Sequence, residues 1–175
     1  MNFKNKKVLV TGGAGMIGSQ VAHKFVELGG DVTIADNFSS GLRKNVDDLN
    51  GKASINIADL RDERNCIRET KGKDIVMQLA MNTGGLSHNH EVSANIMRDN
   101  FLININMLQS AFKNKVKYYF YCLSAYIYPA EINMFYGLEK IAIEKLCKAY
   151  RDDYKMHIKI LHFDNADDCI AGIGG

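Results

Sequence analysis

The chain has 175 residues, 46% hydrophobic and 24% charged, a composition that fits a folded domain and excludes a disordered one. Its 22 basic and 20 acidic residues leave a net charge of +2, which gives no electrostatic case for nucleic acid or an anionic membrane as partner. No run approaches the roughly 18 apolar residues of a membrane span, and Val8-Leu9-Val10 is too short for a signal-peptide core.

The cysteines, Cys66, Cys122, Cys147 and Cys169, form no CxxC pair, so the expectation is buried thiols in a reducing cytoplasm, without zinc or disulfides. In chain order, the apolar pattern predicts a strand over Lys7 to Val10, a turn, and a helix over about Gly15 to Leu28 that Gly29-Gly30 ends. Strands follow at Asp31 to Ala35 and Ala53 to Ile57, then a short helix from about Arg61 to Thr70 and a strand over Asp74 to Leu79. A long helix is predicted over about Val92 to Phe112, with Ile96, Phe101, Ile105, Leu108 and Phe112 on or near one face. Lys117 to Leu123 reads as a strand, Phe135 to Tyr150 as a helix and His157 to His162 as a sixth strand. Such alternation predicts an α/β fold, a doubly wound parallel sheet with helices on both faces.

Thr11-Gly12-Gly13-Ala14-Gly15-Met16-Ile17-Gly18 lies between the first strand and the first helix. Glycines at 12, 15 and 18 serve a tight turn, close approach of backbone to a pyrophosphate, and close helix–strand packing. The helix start adds amide donors and the positive end of its dipole. Asp36 follows Gly18 by 18 residues, at the end of the second strand. A carboxylate there accepts from the adenosine ribose hydroxyls and repels a 2′-phosphate, which favours NAD over NADP. Asp59-Leu60, after the third strand, reads either as an adenine contact or, at Asp59, as the N-cap of the next helix.

Tyr136 and Lys140 are four apart and share one helical face. A tyrosine serves as a base at neutral pH only if its pKa falls by about three units, roughly 4 kcal/mol of differential stabilisation. A neighbouring ammonium and a positive nicotinamide ring both favour the phenolate. Ser124, at the end of the fifth strand, can donate to the same substrate oxygen.

With these pieces together the sequence resembles the extended short-chain dehydrogenase/reductase family of NAD-dependent epimerases and dehydratases, which have an NAD-binding Rossmann fold. The resemblance runs from about Lys6 to Asn165 and is carried by the glycine turn, Asp36 to Gly41, Ala58 to Asp62, Leu79-Ala80, Ser124 to Pro129 and Tyr136 to Lys140. Met81 to Leu86, Asn100, Tyr128-Pro129 and Tyr136 to Cys147 are similar to the GDP-mannose 3,5-epimerase subgroup, which implies a GDP-sugar substrate. The resemblance implies that Tyr136 removes a proton from a sugar hydroxyl, Lys140 binds the nicotinamide ribose and tunes Tyr136, and Ser124 polarises the hydroxyl and then the ketone. It also implies cofactor contacts at Gly12, Gly15, Met16, Ile17, Gly18, Asp36, Asn37, Ser39, Asp59, Leu60, Leu79, Ala80, Asn100, Tyr136 and Lys140. Substrate contacts are implied at Gly84, Gly85, Ser124 and Asn165, and a homodimer through the helices near 100–112 and 136–150.

Three departures from the family pattern stand out. Ser124 and Tyr136 are only 12 positions apart, where the family has a longer loop. Tyr126 occupies the position of the 3,5-epimerases' proton-shuttling cysteine, and Ala125-Tyr126 that of the dehydratases' Asp-Glu pair. The expected organisation is an NAD-binding domain over 1–165 with a short tail at 166–175 outside the family pattern, the substrate-binding C-terminal region being largely missing. An NAD-dependent epimerase and a catalytically inactive truncated NAD-binding or dimerising module both fit. His88 and His90 read as polar loop residues and Asp164, Asp167 and Asp168 as a solvated tail; no metal site is expected.

Overall fold

The computed structural model describes residues 2–82, 93–124 and 135–163; for Ser93, Ser124, Phe135, Tyr136, Gly137 and Phe163 it describes the backbone alone. Six strands form one sheet: β1 (Lys7–Thr11), β2 (Asp31–Asp36), β3 (Ala53–Ile57), β4 (Ile75–Gln78), β5 (Tyr118–Ser124) and β6 (Ile158–Phe163). Their order is β3-β2-β1-β4-β5-β6, and every neighbouring pair is parallel. Four helices make the connections: α1 (Met16–Glu27), α2 (Glu63–Thr70), α3 (Ser93–Lys113) and α4 (Phe135–Tyr154). This is the doubly wound arrangement that the strand–helix alternation predicts. Among the described residues no helix is long and apolar enough to cross a membrane.

Alternation along each strand sorts side chains into two cores. Val8, Val10, Val32, Ile34, Ile75 and Met77 join Ala14 and Ala22 on the α1 face. Leu9, Val76, Tyr119, Tyr121 and Leu123 join Cys66, Met107, Leu108, Ile143 and Cys147 on the face of α2, α3 and α4. Gly29 and Gly30 end α1 as predicted: Gly29 (φ +78°) donates its N–H to the Val26 carbonyl and Gly30 to that of Phe25. Burial pushes the Cys66, Cys122 and Cys147 thiols up to about 12, so all three are poor nucleophiles at neutral pH.

Two predicted features need correction. Leu108 is buried as predicted and Phe101 packs against the core, but the rest of the buried stripe of α3 is Asn100, Ile103, Asn104, Met107 and Ala111, whereas Ile105 and Phe112 point outward and are each 40% exposed. The apolar count misplaces part of the face because two asparagines occupy core positions and bond within the core. Two short 3₁₀ turns, Arg43–Asn45 and Asp47–Leu49, lie where the sequence suggested no element. They bring Val46 and Leu49 into the α1-side core, and Leu42 N–H and Asn45 Nδ2 both donate to the Ala14 carbonyl. These turns therefore brace the glycine-rich segment.

Candidate functional site

Strand order reverses direction between β1 and β4, so the connections leaving their carboxyl ends diverge and open a crevice. The turn after β1 lies at that point. Gly12 has φ +63°, and a Cβ built on it would stand 2.8 Å from the Ala80 Cα. A Cβ on Gly18 would stand 2.1 Å from the Gly12 carbonyl oxygen, so α1 approaches the turn as closely as backbone allows. Gly15 precedes α1 in extended conformation and gives it no side-chain cap. The first-turn amides of Met16, Ile17 and Gly18 lack intrahelical acceptors and are free to meet an anion.

Asp36 ends β2 and is buried against this turn. Its Oδ2 accepts from Ala14 N–H at 2.9 Å and its Oδ1 from Phe38 N–H at 2.8 Å. A carboxylate has about four acceptor sites, so each oxygen keeps one for a ribose hydroxyl. Asn37 and Ser39 are exposed beside it, the Asn37 Oδ1 accepting from Ser39 N–H. The Arg43 guanidinium lies over the Phe38 ring, 4.9 Å from its centroid.

Thr11, which the sequence analysis did not single out, fixes the exit of β4. Its hydroxyl accepts from Leu79 N–H at 3.0 Å and Ala80 N–H at 3.1 Å, and donates to Gln78 Oε1 at 2.7 Å. Asn100 is fully buried and clamps the chain two residues further out: its Oδ1 accepts from Asn82 N–H and its Nδ2 donates to the Asn82 carbonyl.

Asp59 is not the N-cap of α2. That role belongs to Asp62, which accepts from Arg64 N–H, because a turn from Asp59 to Asp62 delays the helix by two residues. Asp59 instead receives Arg61 through its backbone and guanidinium, and this pairing holds its carboxyl below the usual carboxylate range. Arg61 also reaches the buried Asp99 of α3 at 3.0 Å, tying the exit of β3 to α3. The Leu60 side chain is core, and its carbonyl accepts from the Cys66 thiol.

Ser124 ends β5 on the same carboxyl edge, paired in register with Phe163 of β6. Tyr136 stands in the first turn of α4, one turn before Lys140. Lys140 is only 3% exposed. Its Nζ is 3.9 Å from Glu139 Oε1 and 5.7 Å from the centre of the Tyr121 ring. Burial pulls Lys140 below the ordinary lysine range, opposed by Glu139 and Cys122. Glu139 is fully buried, and burial pushes its carboxyl up. Gly84, Gly85, His88, His90, Tyr126, Asp164, Asn165, Asp167, Asp168 and Cys169 lie outside the described residues. Among the described residues, no group of three His, Cys, Asp or Glu side chains is placed to hold a metal ion.

The sequence profile of the NAD dependent epimerase/dehydratase family matches residues 8–166. The chain belongs to that family. It is 33% identical to a GDP-mannose 3,5-epimerase of Arabidopsis thaliana, over 93% of this chain and 47% of the relative. It is 30% identical to a putative UDP-glucose 4-epimerase of Methanocaldococcus jannaschii, over 90% of this chain and 55% of that one. Among solved structures it is similar to the UDP-N-acetylglucosamine 4-epimerase of Methanobrevibacter ruminantium, with a TM-score of 0.78 and 26% identity over 91% of this chain and 55% of that chain. This family member thus spans about half the length of the curated relatives it matches.

Proposed function

We propose that the carboxyl edge of the sheet binds NAD and that the chain is the NAD-binding half of a nucleotide-sugar epimerase of the GDP-mannose 3,5-epimerase kind. The observation that carries the cofactor reading is the contact of Gly18 with Gly12 at the switch point, which leaves the turn bare for a pyrophosphate. The fit extends to Asp36, whose remaining acceptor sites suit the two ribose hydroxyls. NAD, when bound, supplies a hydride acceptor. Tyr136 takes the proton from a sugar hydroxyl, Ser124 donates to the oxygen that becomes the ketone, and Lys140, one helical turn on, supplies the positive charge that tunes Tyr136. A ketone acidifies its neighbouring C–H bonds, and epimerisation followed by re-reduction leaves no net redox change. The GDP-sugar preference rests on the 33% identity to the plant epimerase, and the buried or half-buried thiols of Cys66, Cys122 and Cys147 suit a reducing cytoplasm. Residues 1–165 form one NAD-binding domain in this reading, with 167–175 beyond the residues that the family profile matches.

Incubation with NAD and either GDP-mannose or UDP-glucose, with product sugars separated by chromatography, tests this reading. The expected result is new epimers from the GDP-sugar, abolished by Tyr136→Phe. A second reading, a catalytically inactive NAD-binding module, is favoured by Tyr126 at the position of the expected cysteine. NAD binding by calorimetry without product would establish it, and no heat with millimolar NAD would sink both.

Outward apolar side chains on α3 and α4 favour a homodimer. Leu102, Ile105, Phe112 and Leu138 are each at least 40% exposed, and Phe112 meets Tyr150 of α4 edge to face and Tyr154 at a tilt. Sedimentation equilibrium is expected to give a dimer that Ile105→Asp converts to a monomer; a monomeric wild type would overturn the proposal.

A further inference from the structure

Five buried polar side chains form an unbroken line through the interior, from the cofactor turn to Lys140. Thr11 Oγ1 donates to Gln78 Oε1 at 2.7 Å, Gln78 Nε2 donates to Asn104 Oδ1 at 3.2 Å, and Asn104 Nδ2 donates to Glu139 Oε1 at 3.3 Å. Glu139 Oε1 then lies 3.9 Å from the Lys140 ammonium. None of the five is more than 3% exposed, and they come from β1, β4, α3 and α4. At one end the Thr11 hydroxyl also holds the amide of Ala80, the residue against which Gly12 packs. Apolar side chains would fill these positions at lower desolvation cost. Glu139 bears that cost most plainly, because its Oε2 has no hydrogen-bond partner among the described residues.

We infer that Glu139 is a positioning residue for Lys140, a buried countercharge that holds the ammonium cationic and in place and joins it through Asn104, Gln78 and Thr11 to the turn that faces the cofactor. Several described groups facing the pair act in this sense. Lys140 meets Glu139 on its own helix and Cys122 and the Tyr121 ring on β5. Glu139 meets Lys140 and the amides of Asn100 and Asn104 on α3, all of which favour its ionised form against burial. The same wire gives Lys140 a mechanical tie to β4 that its own helix cannot supply. The catalytic meaning of this arrangement rests on the reading of Lys140 given above; the coupling of the two side chains does not.

The full chain labelled with ¹³C at lysine Cε and glutamate Cδ is titrated by NMR, the Lys140 signal being assigned by its loss in Lys140→Arg. In the wild type, Lys140 and Glu139 are expected to share the same two titration steps. Glu139→Gln, which keeps shape and an acceptor for Asn104, is expected to lower the Lys140 midpoint by about one pH unit. By calorimetry its NAD affinity should then fall more at high pH than at neutral pH. An unchanged Lys140 midpoint in Glu139→Gln overturns the inference. If that variant does not fold, independent single-step curves for the two wild-type signals overturn it equally. A shifted midpoint in a protein that binds no NAD at any pH supports the coupling and overturns the proposed cofactor site instead.

Discussion

Gly18→Ala is expected to weaken NAD binding at least about tenfold and to lower the melting temperature, because it forces the first helix off the turn. The added Cβ meets the Gly12 carbonyl oxygen at 2.1 Å, the Gly12 carbonyl carbon at 2.8 Å and the Gly13 Cα at 2.9 Å. All three are backbone atoms of a turn already held by Thr11, Asp36 and Asn45, so no side chain can swing aside. To reach ordinary contact, α1 must retreat by more than an ångström, carrying the Met16, Ile17 and Gly18 amides with it. Overpacking of this kind costs about 1–3 kcal/mol, roughly 2–4 °C of melting temperature per kcal/mol in a chain of this size. Gly15→Ala is the matched control: its Cβ meets only the Gly12 carbonyl oxygen, at 3.1 Å, so a few tenths of an ångström suffice. Melting and calorimetry on the two variants decide the matter. A Gly18→Ala protein that binds NAD like the wild type would show that the Gly18 contact does not set the phosphate site.

That ranking shows where sequence reasoning is strong and where it stops. Strand–helix alternation and the three glycines are periodic or contiguous signals, and each element they suggest is present within a few residues of its predicted bounds. Asp36 was legible because a strand end and a fixed distance from the glycines define its place. The buried polar line was not, because its members lie on four elements and each looks ordinary in its own window. Asn100 and Asn104 carry a trace of it: two amides four apart among the apolar residues of a long helix mark core positions that need partners. Glu139 gave no signal beyond adjacency to Lys140, since a glutamate on a helix is usually solvated. Arg61 likewise reads as a surface cation and turns out to bridge Asp59 and Asp99. Helix ends misled for a related reason. Asp59 and Asp62 are both good N-caps, and only the intervening turn selects the second.

Lys140→Met should destabilise the chain in a pH-dependent way, and adding Glu139→Gln should remove most of that loss. The single substitution deletes the cation beside a fully buried carboxyl, and an uncompensated buried charge of this kind costs about 3–5 kcal/mol. Glu139 can escape by taking up a proton, and this fixes the sign. Burial already raises its folded pKa above the ordinary 4.5, and removing Lys140 raises it further. A raised folded pKa leaves stability intact below the unfolded value and erodes it as pH climbs through the folded value. The single variant is therefore expected to match the wild type near pH 4.5 and to fall progressively behind toward pH 8. The double variant presents neutral side chains of similar volume and keeps an acceptor for Asn104, so its melting temperature should rise above that of the single variant and lose the extra pH dependence. Thermal melts of the four proteins of this cycle across that range measure the coupling directly. Equal, pH-independent losses in single and double variants would mean that Lys140 matters to the fold through packing alone. The expected outcome separates stability from function at one pair: the neutral double variant recovers the fold, yet it lacks the ammonium that the proposed chemistry requires to tune Tyr136. A pair whose neutral replacement is tolerated by the fold, and whose charge is nevertheless present in the interior, is the pattern of a residue held for chemistry at the expense of stability.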